Sequence, residues 1–196
     1  MNNRHFHRRN LPHLYYDEGI YFITFRLNDS IPLHLLAEGQ KDYQDQKLKD
    51  GDINETKRRL FVKYDNLLDT NLINCDYLTR SEITPVIKNS LHFYDNKDYS
   101  LLCYYVMPNH VHVVFELLKD NRGISNIMHS IKRYSARECN KILKQDGYFW
   151  QHESYDRLVR NEKELYFTTE YILNNPVKAG LVEKREDWPH SYCNMI

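Results

Sequence analysis

The sequence predicts an α+β protein whose strands form one antiparallel sheet. Short segments that alternate apolar and polar residues, typical of strands, are interleaved with longer segments of helical spacing. Their order is strand, helix, strand, strand, helix, strand, helix, which is the βαββαβ pattern of a ferredoxin-like sheet followed by a C-terminal helix. Because the 196 residues contain no internal repeat and no low-complexity linker, we expect a single domain spanning 1–196.

The first strand is predicted at GIYFITFRL, residues 19–27, where alternate side chains fall on opposite faces. One face carries Tyr21, Ile23, Phe25 and Leu27, and the other carries Phe22, Thr24 and Arg26. Residues 31–78 are polar and irregularly patterned, but they contain helix-compatible stretches such as LHLLAEGQKDYQDQKLK and ETKRRLFVKYDNLL. We interpret 31–78 as a helical insertion of one or two helices.

The remaining elements follow from apolar periodicity and from the positions of the prolines. Residues 79–94 have apolar side chains at helical spacing, and Pro85 is tolerated because it falls in the first turns. Two strands, 99–107 and 110–118, are joined tightly through Pro108 and Asn109. A helix at about 123–144, a short strand at 155–160 and a final helix from roughly Glu162 to Asn175 complete the order.

The composition is that of a globular protein in a reducing compartment. There is no run of about 18 apolar residues and no apolar export segment at the N-terminus, so we expect no membrane segment. The cysteines lie far apart and form no CxxC pair, which argues against a zinc ribbon or a disulfide scaffold. These observations predict a cytoplasmic protein with reduced thiols at Cys75, Cys103, Cys139 and Cys193.

The net charge is zero, but the charge is distributed unevenly. Residues 121–145 hold six basic side chains against Glu138 alone. Four of them recur at helical spacing on the side opposite the apolar residues of the long predicted helix: Arg133, Arg137, Lys141 and Lys144. Such a stripe is most often a solvated helix face, and it also suits the phosphates of a nucleic acid.

The segment HVHVVFELL, residues 110–118, places two histidines one residue apart in a strand. His110 and His112 then share one face, while Val111 and Val113 face the opposite side. Two strand rises separate the histidine α-carbons by roughly 6 to 7 Å, so both imidazoles can converge on one ion. Taken alone, the pair is more often explained by hydrogen-bonded histidines on a half-exposed sheet.

The segment ELYFTTEYILNNPVKAGLV, residues 164–182, holds a second constellation. Tyr171 and Asn175 are four residues apart, so a helix presents them on the same face. Pro176 disfavours helix at the preceding residue, which predicts a helix end at Asn175. A phenol and an amide are thereby presented together. The competing interpretation is an ordinary core tyrosine, since the chain has sixteen tyrosines.

Four segments together resemble one family: VMPNHVHVV, GISNIMHSIKRYSAREC, GYFWQHESYDRLVRNEKEL and YILNNPVKAGLV. They look like the REP-associated tyrosine transposases, single-tyrosine members of the HUH nuclease superfamily. The resemblance begins at RRNLPHLYYDEGIYFITFRL and ends at WPHS, and the insertion is the part that does not align. The histidine motif and the NPVKAG motif occur in the order and spacing of the family.

The resemblance implies a metal-dependent enzyme that cuts and rejoins single-stranded DNA, usually beside a hairpin, through a 5′-phosphotyrosine intermediate. By motif match, His110 and His112 are metal ligands, Asn175 completes a site of neutral ligands, and Tyr171 is the nucleophile. Nitrogen and oxygen ligands favour Mg²⁺ or Mn²⁺ over Zn²⁺. Tyr134, Tyr155 and Tyr166 are alternative nucleophiles, and the sequence names no general base.

Expected contacts to single-stranded or hairpin DNA rest on position and charge. They are Arg8, Arg9, Arg26, Arg133, Arg137, Lys141 and Arg157. Arg157 stands where many members of the family have histidine, which could change contacts to the cleaved strand. The active site is expected in a monomer or across a homodimer. Two alternatives stay open: a nucleic-acid binding or regulatory module with little or no cleavage, and a metallohydrolase in which water attacks and Tyr171 only orients.

Overall fold

The computed structural model describes residues 4–8, 12–32, 34–35, 38, 53–70 and 76–195. The strands are β1 (Arg4–Arg8), β2 (Pro12–Tyr16), β3 (Gly19–Arg26), β4 (Tyr99–Val106), β5 (His110–Leu117), β6 (Tyr155–Val159) and β7 (Ser191–Cys193). The helices are α1 (Ile53–Thr70), α2 (Thr84–His92), α3 (Ile124–Leu143), α4 (Glu162–Leu173) and α5 (Asn175–Lys178). None of the helices in this part of the chain has the length and apolar character that a membrane span requires.

Five strands form the central sheet in the order β6-β3-β5-β4-β7, and every neighbouring pair is antiparallel. The first four positions have the order of a ferredoxin-like sheet, in which the two outer strands flank the first and third strands of the motif. Strands β1 and β2 pair separately as a two-stranded sheet. The predicted α+β class with a ferredoxin-like antiparallel sheet is therefore confirmed.

One face of the sheet packs against α2 and α3 and is almost entirely apolar. Alternate residues of β3 and β5, as the period of two predicted, contribute Tyr21, Ile23, Phe25, Val111, Val113 and Phe115 to this core. Helices α2 and α3 add Ile87, Leu91, Ile127 and Ile131, which are all at most 1% exposed. Burial of these side chains is the main force that holds the two helices on the sheet.

The opposite face is also covered, by α1 and α4. Phe22 and Val114 project to this side and pack with Phe61 of α1 and Ile172 of α4. Helix α1 lies inside the segment 31–78 that was interpreted as an insertion. The earlier helix-compatible stretch of that segment lies almost entirely outside the described residues, so the extent of the insertion and the single-domain assignment stay predictions.

Two helix boundaries differ from those predicted. Helix α2 begins at Thr84 rather than near residue 79, because a short 3-10 turn over Tyr77–Thr79 precedes it. The final helix ends at Leu173 rather than at Asn175, and Asn175 is the first residue of α5. Pro176 lacks an N–H and fits the first turn of a helix, where no partner is needed, so it starts a new helix instead of only ending the old one.

Candidate active site

The two histidines lie on β5, between β3 and β4, and are fully buried. His110 and His112 point to the face covered by α1 and α4, and their Nε2 atoms are 3.0 Å apart. This burial excludes the half-exposed pair that the sequence left open. Buried polar rings require partners, so the contacts of each ring nitrogen identify what the pair can do.

The Nδ1 atom of each ring faces an oxygen atom of a neighbouring side chain. His110 Nδ1 lies 2.7 Å from Asn109 Oδ1, and His112 Nδ1 lies 2.8 Å from Thr24 Oγ1. Thr24 is the residue opposite His112 in the β3–β5 register. An Nδ1–H that donates to oxygen leaves the Nε2 lone pair available, which is the usual arrangement of histidines that bind a metal ion.

Asn175 places its side-chain amide against the same cluster. The amide nitrogen is 2.7 Å from His112 Nε2, and the side chain is fully buried. Its Oδ1 makes no hydrogen bond among the described residues. Rotation of the amide exchanges the two nearly isosteric atoms and turns the oxygen toward the histidines. Asn175 therefore fits the role of an oxygen ligand, as the family resemblance implied.

Asp65 of α1 joins the cluster, although it is not among the site residues predicted from the sequence. Its Oδ1 lies 3.3 Å from His112 Nε2 and makes no hydrogen bond in the described part of the chain. Asp65, His110 and His112 offer ligand atoms that all lie within 4.8 Å of one another. The sequence does contain a pattern that indicates this acid. Phe61, Asp65 and Leu68 recur at helical spacing, so an acid falls on the apolar face of this helix.

Burial and neighbouring groups shift the pKa values of His110 and Asp65. Burial, assisted by the neighbouring His112, lowers the pKa of His110 to about 3, so this ring is neutral and able to bind a metal ion. Burial would raise the pKa of Asp65, but His112 and the Tyr171 hydroxyl beside it hold that pKa well below its usual range. The site thus buries an ionised carboxylate, which a bound cation would stabilise.

The Tyr171 hydroxyl donates a hydrogen bond to Asp65 Oδ2. Burial, followed by the charge of Asp65, raises the pKa of this phenol far above its usual value, so Tyr171 is protonated here. Lys178 lies near both groups, with Nζ 5.6 Å from the centroid of the Tyr171 ring and 3.8 Å from Asp65 Oδ2. Lys178 also pairs with Asp69 at 2.9 Å.

The other tyrosines considered from the sequence occupy different positions. Tyr155 stacks on Phe61 with ring centroids 4.4 Å apart and is partly buried. Tyr134 and Tyr166 are 45% and 63% exposed, and Tyr134 lies on α3, across the sheet from the histidines. Within the described residues, Tyr171 is the one of these four whose hydroxyl is hydrogen-bonded to the histidine–aspartate cluster.

Two arginines that were expected to contact DNA, Arg26 and Arg157, make contacts with other side chains of the protein. Arg26 is opposite His110 in the β3–β5 register, and its guanidinium donates to Ser30 Oγ at 3.0 Å. Arg157 donates to Thr168 Oγ1 at 2.8 Å and lies 3.4 Å from a Glu164 carboxylate oxygen. For Arg8 the structure describes the backbone in β1 but not the side chain, and Arg9 lies outside the described residues.

The basic stripe lies on the opposite side of the sheet from the histidines. Arg133, Arg137 and Lys141 are exposed on α3, which packs against the apolar face. Arg133 borders an open groove of about 460 Å³ between α3 and residues 147–154. Asp156 of the edge strand β6 also lines this groove.

The sequence profile of the family described as "Transposase IS200 like" matches residues 76–175, which is just over half of the chain. A REP-associated tyrosine transposase of Escherichia coli is 29% identical over 96 residues, covering 49% of this chain and 55% of the relative. A candidate REP-associated tyrosine transposase of Haemophilus influenzae is 30% identical over 95 residues, covering 44% of this chain and 54% of the relative. The chain thus spans about half the length of these curated relatives.

A solved structure of a REP-associated tyrosine transposase bound to a REP hairpin is similar in fold. The TM-score is 0.57 at 19% sequence identity, and the superposition covers 94% of this chain and 80% of the other. At this identity, the similarity shows the fold. It agrees with the antiparallel sheet and helix layers described above, and the resemblance seen in the sequence motifs is confirmed by the family match.

Proposed function

The chain belongs to the IS200-like transposase family, and from that premise we propose that it is an enzyme that cuts and rejoins single-stranded DNA through a covalent bond to Tyr171. One observation carries the proposal: the Tyr171 hydroxyl, the Asp65 carboxylate, both histidines and the Asn175 amide are joined by contacts in one cluster. These residues come from separate parts of the sequence. A structural core alone does not require a phenol, two imidazoles and a carboxylate to converge.

The proposed cofactor is a divalent cation, Mg²⁺ or Mn²⁺, held by His110, His112 and Asn175. The residues fit such an ion, because the Nδ1 atoms are already hydrogen-bonded and Asn175 Oδ1 is buried without a partner among the described residues. When bound, the cation supplies Lewis acidity toward the non-bridging oxygens of the scissile phosphate. Zn²⁺ is the less favoured alternative for a site with oxygen ligands.

Tyr171 is the proposed nucleophile. Its phenolic oxygen forms a bond to phosphorus, the bond from phosphorus to the 3′ oxygen breaks, and the released strand leaves with a 3′-hydroxyl. The phenolic proton passes to water, and the leaving 3′ oxygen takes up a proton from water. The phosphotyrosine conserves the energy of the phosphodiester, so a 3′-hydroxyl can later displace Tyr171 and reseal the DNA.

The surroundings of Tyr171 suit this reaction. Asp65 Oδ2 holds the hydroxyl hydrogen, and the Lys178 ammonium lies beside the ring, where it can attract an anionic phosphate. The sequence named no base for the phenol, and Asp65 is the carboxylate that contacts it. We propose that the single-domain chain, as a monomer or homodimer, binds single-stranded or hairpin DNA. The exposed basic side chains of α3 would make secondary contacts to the DNA.

The proposal is tested by covalent trapping. Purified protein is incubated with Mn²⁺ and labelled single-stranded hairpins from the DNA flanking its gene, and the products are denatured and separated by size. We expect a labelled protein band that Tyr171→Phe and His110→Ala abolish. Tyr155→Phe is the matched control, since Tyr155 is a neighbouring tyrosine that is partly buried like Tyr171, and it should still form the band.

Other outcomes favour the alternative functions. DNA cleavage without a labelled protein band, retained in Tyr171→Phe, would indicate a metallohydrolase in which water attacks. Hairpin binding without cleavage or adduct, across a panel of hairpins that differ in stem and flanking sequence, would indicate a regulatory binding module. Either result would reject the covalent mechanism.

A further inference from the structure

The carboxylate of Asp65 contacts two different partners through its two oxygens. Oδ1 faces His112 Nε2 at 3.3 Å, and Oδ2 accepts the Tyr171 hydroxyl. The side chain is completely buried. Neither the family motifs nor the predicted neutral ligand set of His110, His112 and Asn175 includes a carboxylate at this position.

We propose that Asp65 is an additional ligand of the catalytic cation and bridges it to the nucleophile, so that the inserted helix α1 supplies an anionic part of the metal centre. This inference rests on the proposed metal site and deepens it. Oδ1 binds the ion, and Oδ2 orients the Tyr171 hydroxyl. The ligand set then carries one negative charge, in contrast to the neutral set expected from the sequence.

The distances fit a shared ion. Two ligand atoms that lie about 2.0–2.2 Å from one ion, at angles of about 90–110°, are separated by about 2.8–3.6 Å. The separation of the two histidine Nε2 atoms is 3.0 Å, and that of Asp65 Oδ1 and His112 Nε2 is 3.3 Å. Asp65 Oδ1 makes no hydrogen bond among the described residues, as expected for an atom reserved for a cation.

Helix α1 is held at the site by contacts that do not involve the carboxylate. Phe61 stacks on Tyr155, and Leu68 is buried and accepts a hydrogen bond from the Asn109 side chain through its backbone oxygen. Asn109 in turn contacts His110 Nδ1 at 2.7 Å. The helix is therefore anchored to the histidine strand next to the ligands. A cation that binds Asp65 and both histidines strengthens this anchoring.

The alternative is a purely structural ion pair between Asp65 and a protonated His112. An ion pair and a metal ligand make opposite predictions for the isosteric substitution Asp65→Asn. Loss of an ion pair changes the stability of the metal-free protein and leaves the affinity for a cation the same or greater. Loss of a ligand weakens the binding of the cation.

Asp69 provides a matched control on the same helix. Asp69 lies one turn further along α1, is nearly buried and pairs with Lys178, but it is outside the histidine cluster. The full-length wild type, Asp65→Asn, Asp69→Asn and His112→Ala are titrated with Mn²⁺ alone. Free Mn²⁺ is measured by electron paramagnetic resonance, and backbone amide exchange of residues 53–70 is measured with and without Mn²⁺.

We expect Asp65→Asn to weaken Mn²⁺ binding by at least about tenfold. Even removal of a hydrogen-bond partner of a metal ligand typically lowers metal affinity by about 10- to 100-fold. Asp69→Asn should stay within about threefold of the wild type. Mn²⁺ should slow amide exchange in α1 of the wild type and Asp69→Asn, and not in Asp65→Asn. Circular dichroism of the metal-free variants verifies that each is folded.

The remaining outcomes separate this inference from the proposed function. If Asp65→Asn binds Mn²⁺ as the wild type does while His112→Ala does not, the ligand role of Asp65 is rejected and the histidine site stands. Equal losses in Asp65→Asn and Asp69→Asn would reject it too, because general electrostatics would then explain both. If the wild type and His112→Ala bind Mn²⁺ equally weakly, the metal site itself is rejected.

Discussion

The two faces of the central sheet are built from alternate residues of the same strands, yet they bury very different side chains. On β5, Val111 and Val113 enter an apolar core under α2 and α3, while His110 and His112 enter the space under α1 and α4. Both faces exclude solvent. The apolar face gains stability from its burial, whereas the other face buries a carboxylate, two imidazoles and an amide, which oppose folding unless they are paired.

The two faces differ in what their buried side chains require. The apolar face needs no specific partner beyond close packing. On the polar face, Asp65 Oδ1 and Asn175 Oδ1 are two of the buried atoms that make no hydrogen bond in the described residues, and both lie beside the histidines. Both sides of the sheet bury apolar side chains, but the proposed chemistry lies on one side alone, so substitutions in the α2/α3 core should affect stability without changing the site.

The largest effect on stability is expected on the apolar face. Phe115 is fully buried and stacks on Tyr99 with ring centroids 4.5 Å apart. Phe115→Ala should lower the free energy of unfolding by about 3–5 kcal/mol, because it removes packing and leaves a cavity. Urea denaturation measures the loss. At temperatures where the variant is folded, its Mn²⁺ affinity should equal that of the wild type, and a weakened affinity would show that the two faces are not separable.

A smaller effect is expected on the site face, where loss of the Thr24 hydroxyl should weaken metal binding. Thr24→Val removes the partner of His112 Nδ1 with little change in shape, and it should weaken Mn²⁺ binding by about 10- to 100-fold. Calorimetric titration measures the affinity. Thr84→Val is the matched control: its buried hydroxyl donates to Leu78 O at 2.7 Å on the other side of the sheet.

That control should lose about 1–3 kcal/mol of stability, because a buried carbonyl loses its partner. Its affinity for Mn²⁺ should not change. Equal affinities for Thr24→Val and the wild type would contradict the assignment of Thr24 as the group that orients His112.

The smallest effect concerns one cysteine on each face. The rates at which these cysteines are alkylated should depend differently on pH. On the site face, Cys193 pairs with Cys103 across β7 and β4, and the Cys103 thiol donates a hydrogen bond that lowers the pKa of Cys193 to about 6. On the apolar face, burial raises the pKa of Cys139 to about 12. Thiolate forms as the pH rises through each pKa, so at pH 7 Cys193 should react and Cys139 should not.

Alkylation by iodoacetamide, followed residue by residue with peptide mass spectrometry, measures this difference. The rate at Cys193 should reach half of its plateau near pH 6 in the wild type. In Cys103→Ala the midpoint should move up toward about 8.5, the value of an unperturbed thiol. The rate at pH 7 should change only a few-fold, since a thiolate of lower pKa is also less nucleophilic. An unchanged midpoint in Cys103→Ala would contradict the thiol–thiol hydrogen bond.

The sequence was sufficient for the sheet and its apolar face, because both depend on local periodicity. Alternation along 19–27 and 110–118 correctly assigned the side chains of β3 and β5 to their faces. The motif resemblance correctly indicated the family, and the structure brings His110, His112, Tyr171 and Asn175 together, although their roles stay predictions. Asp65 was missed, because its position depends on the long-range packing of α1, which local patterns do not encode.

The helix boundary at Asn175 was wrong for a physical reason that applies generally. A proline is compatible with both the end of one helix and the first turn of the next, so Pro176 alone does not distinguish them. Similarly, the stripe of basic residues on α3 was identified from its spacing. Its location across the sheet from the histidines depends on how the helices pack, and the spacing contains no information about that.

The site is assembled from residues that are far apart in the chain. Its hydrogen bonds join Thr24 to His112, Asp65 to Tyr171 and His112 to Asn175, which are 88, 106 and 63 positions apart. A ribosome adds about 5–20 residues per second from the N-terminus. A nascent chain therefore carries both histidines seconds before it contains Tyr171. Under the proposed mechanism, a growing chain cannot bond covalently to DNA until nearly all of the sheet has been made.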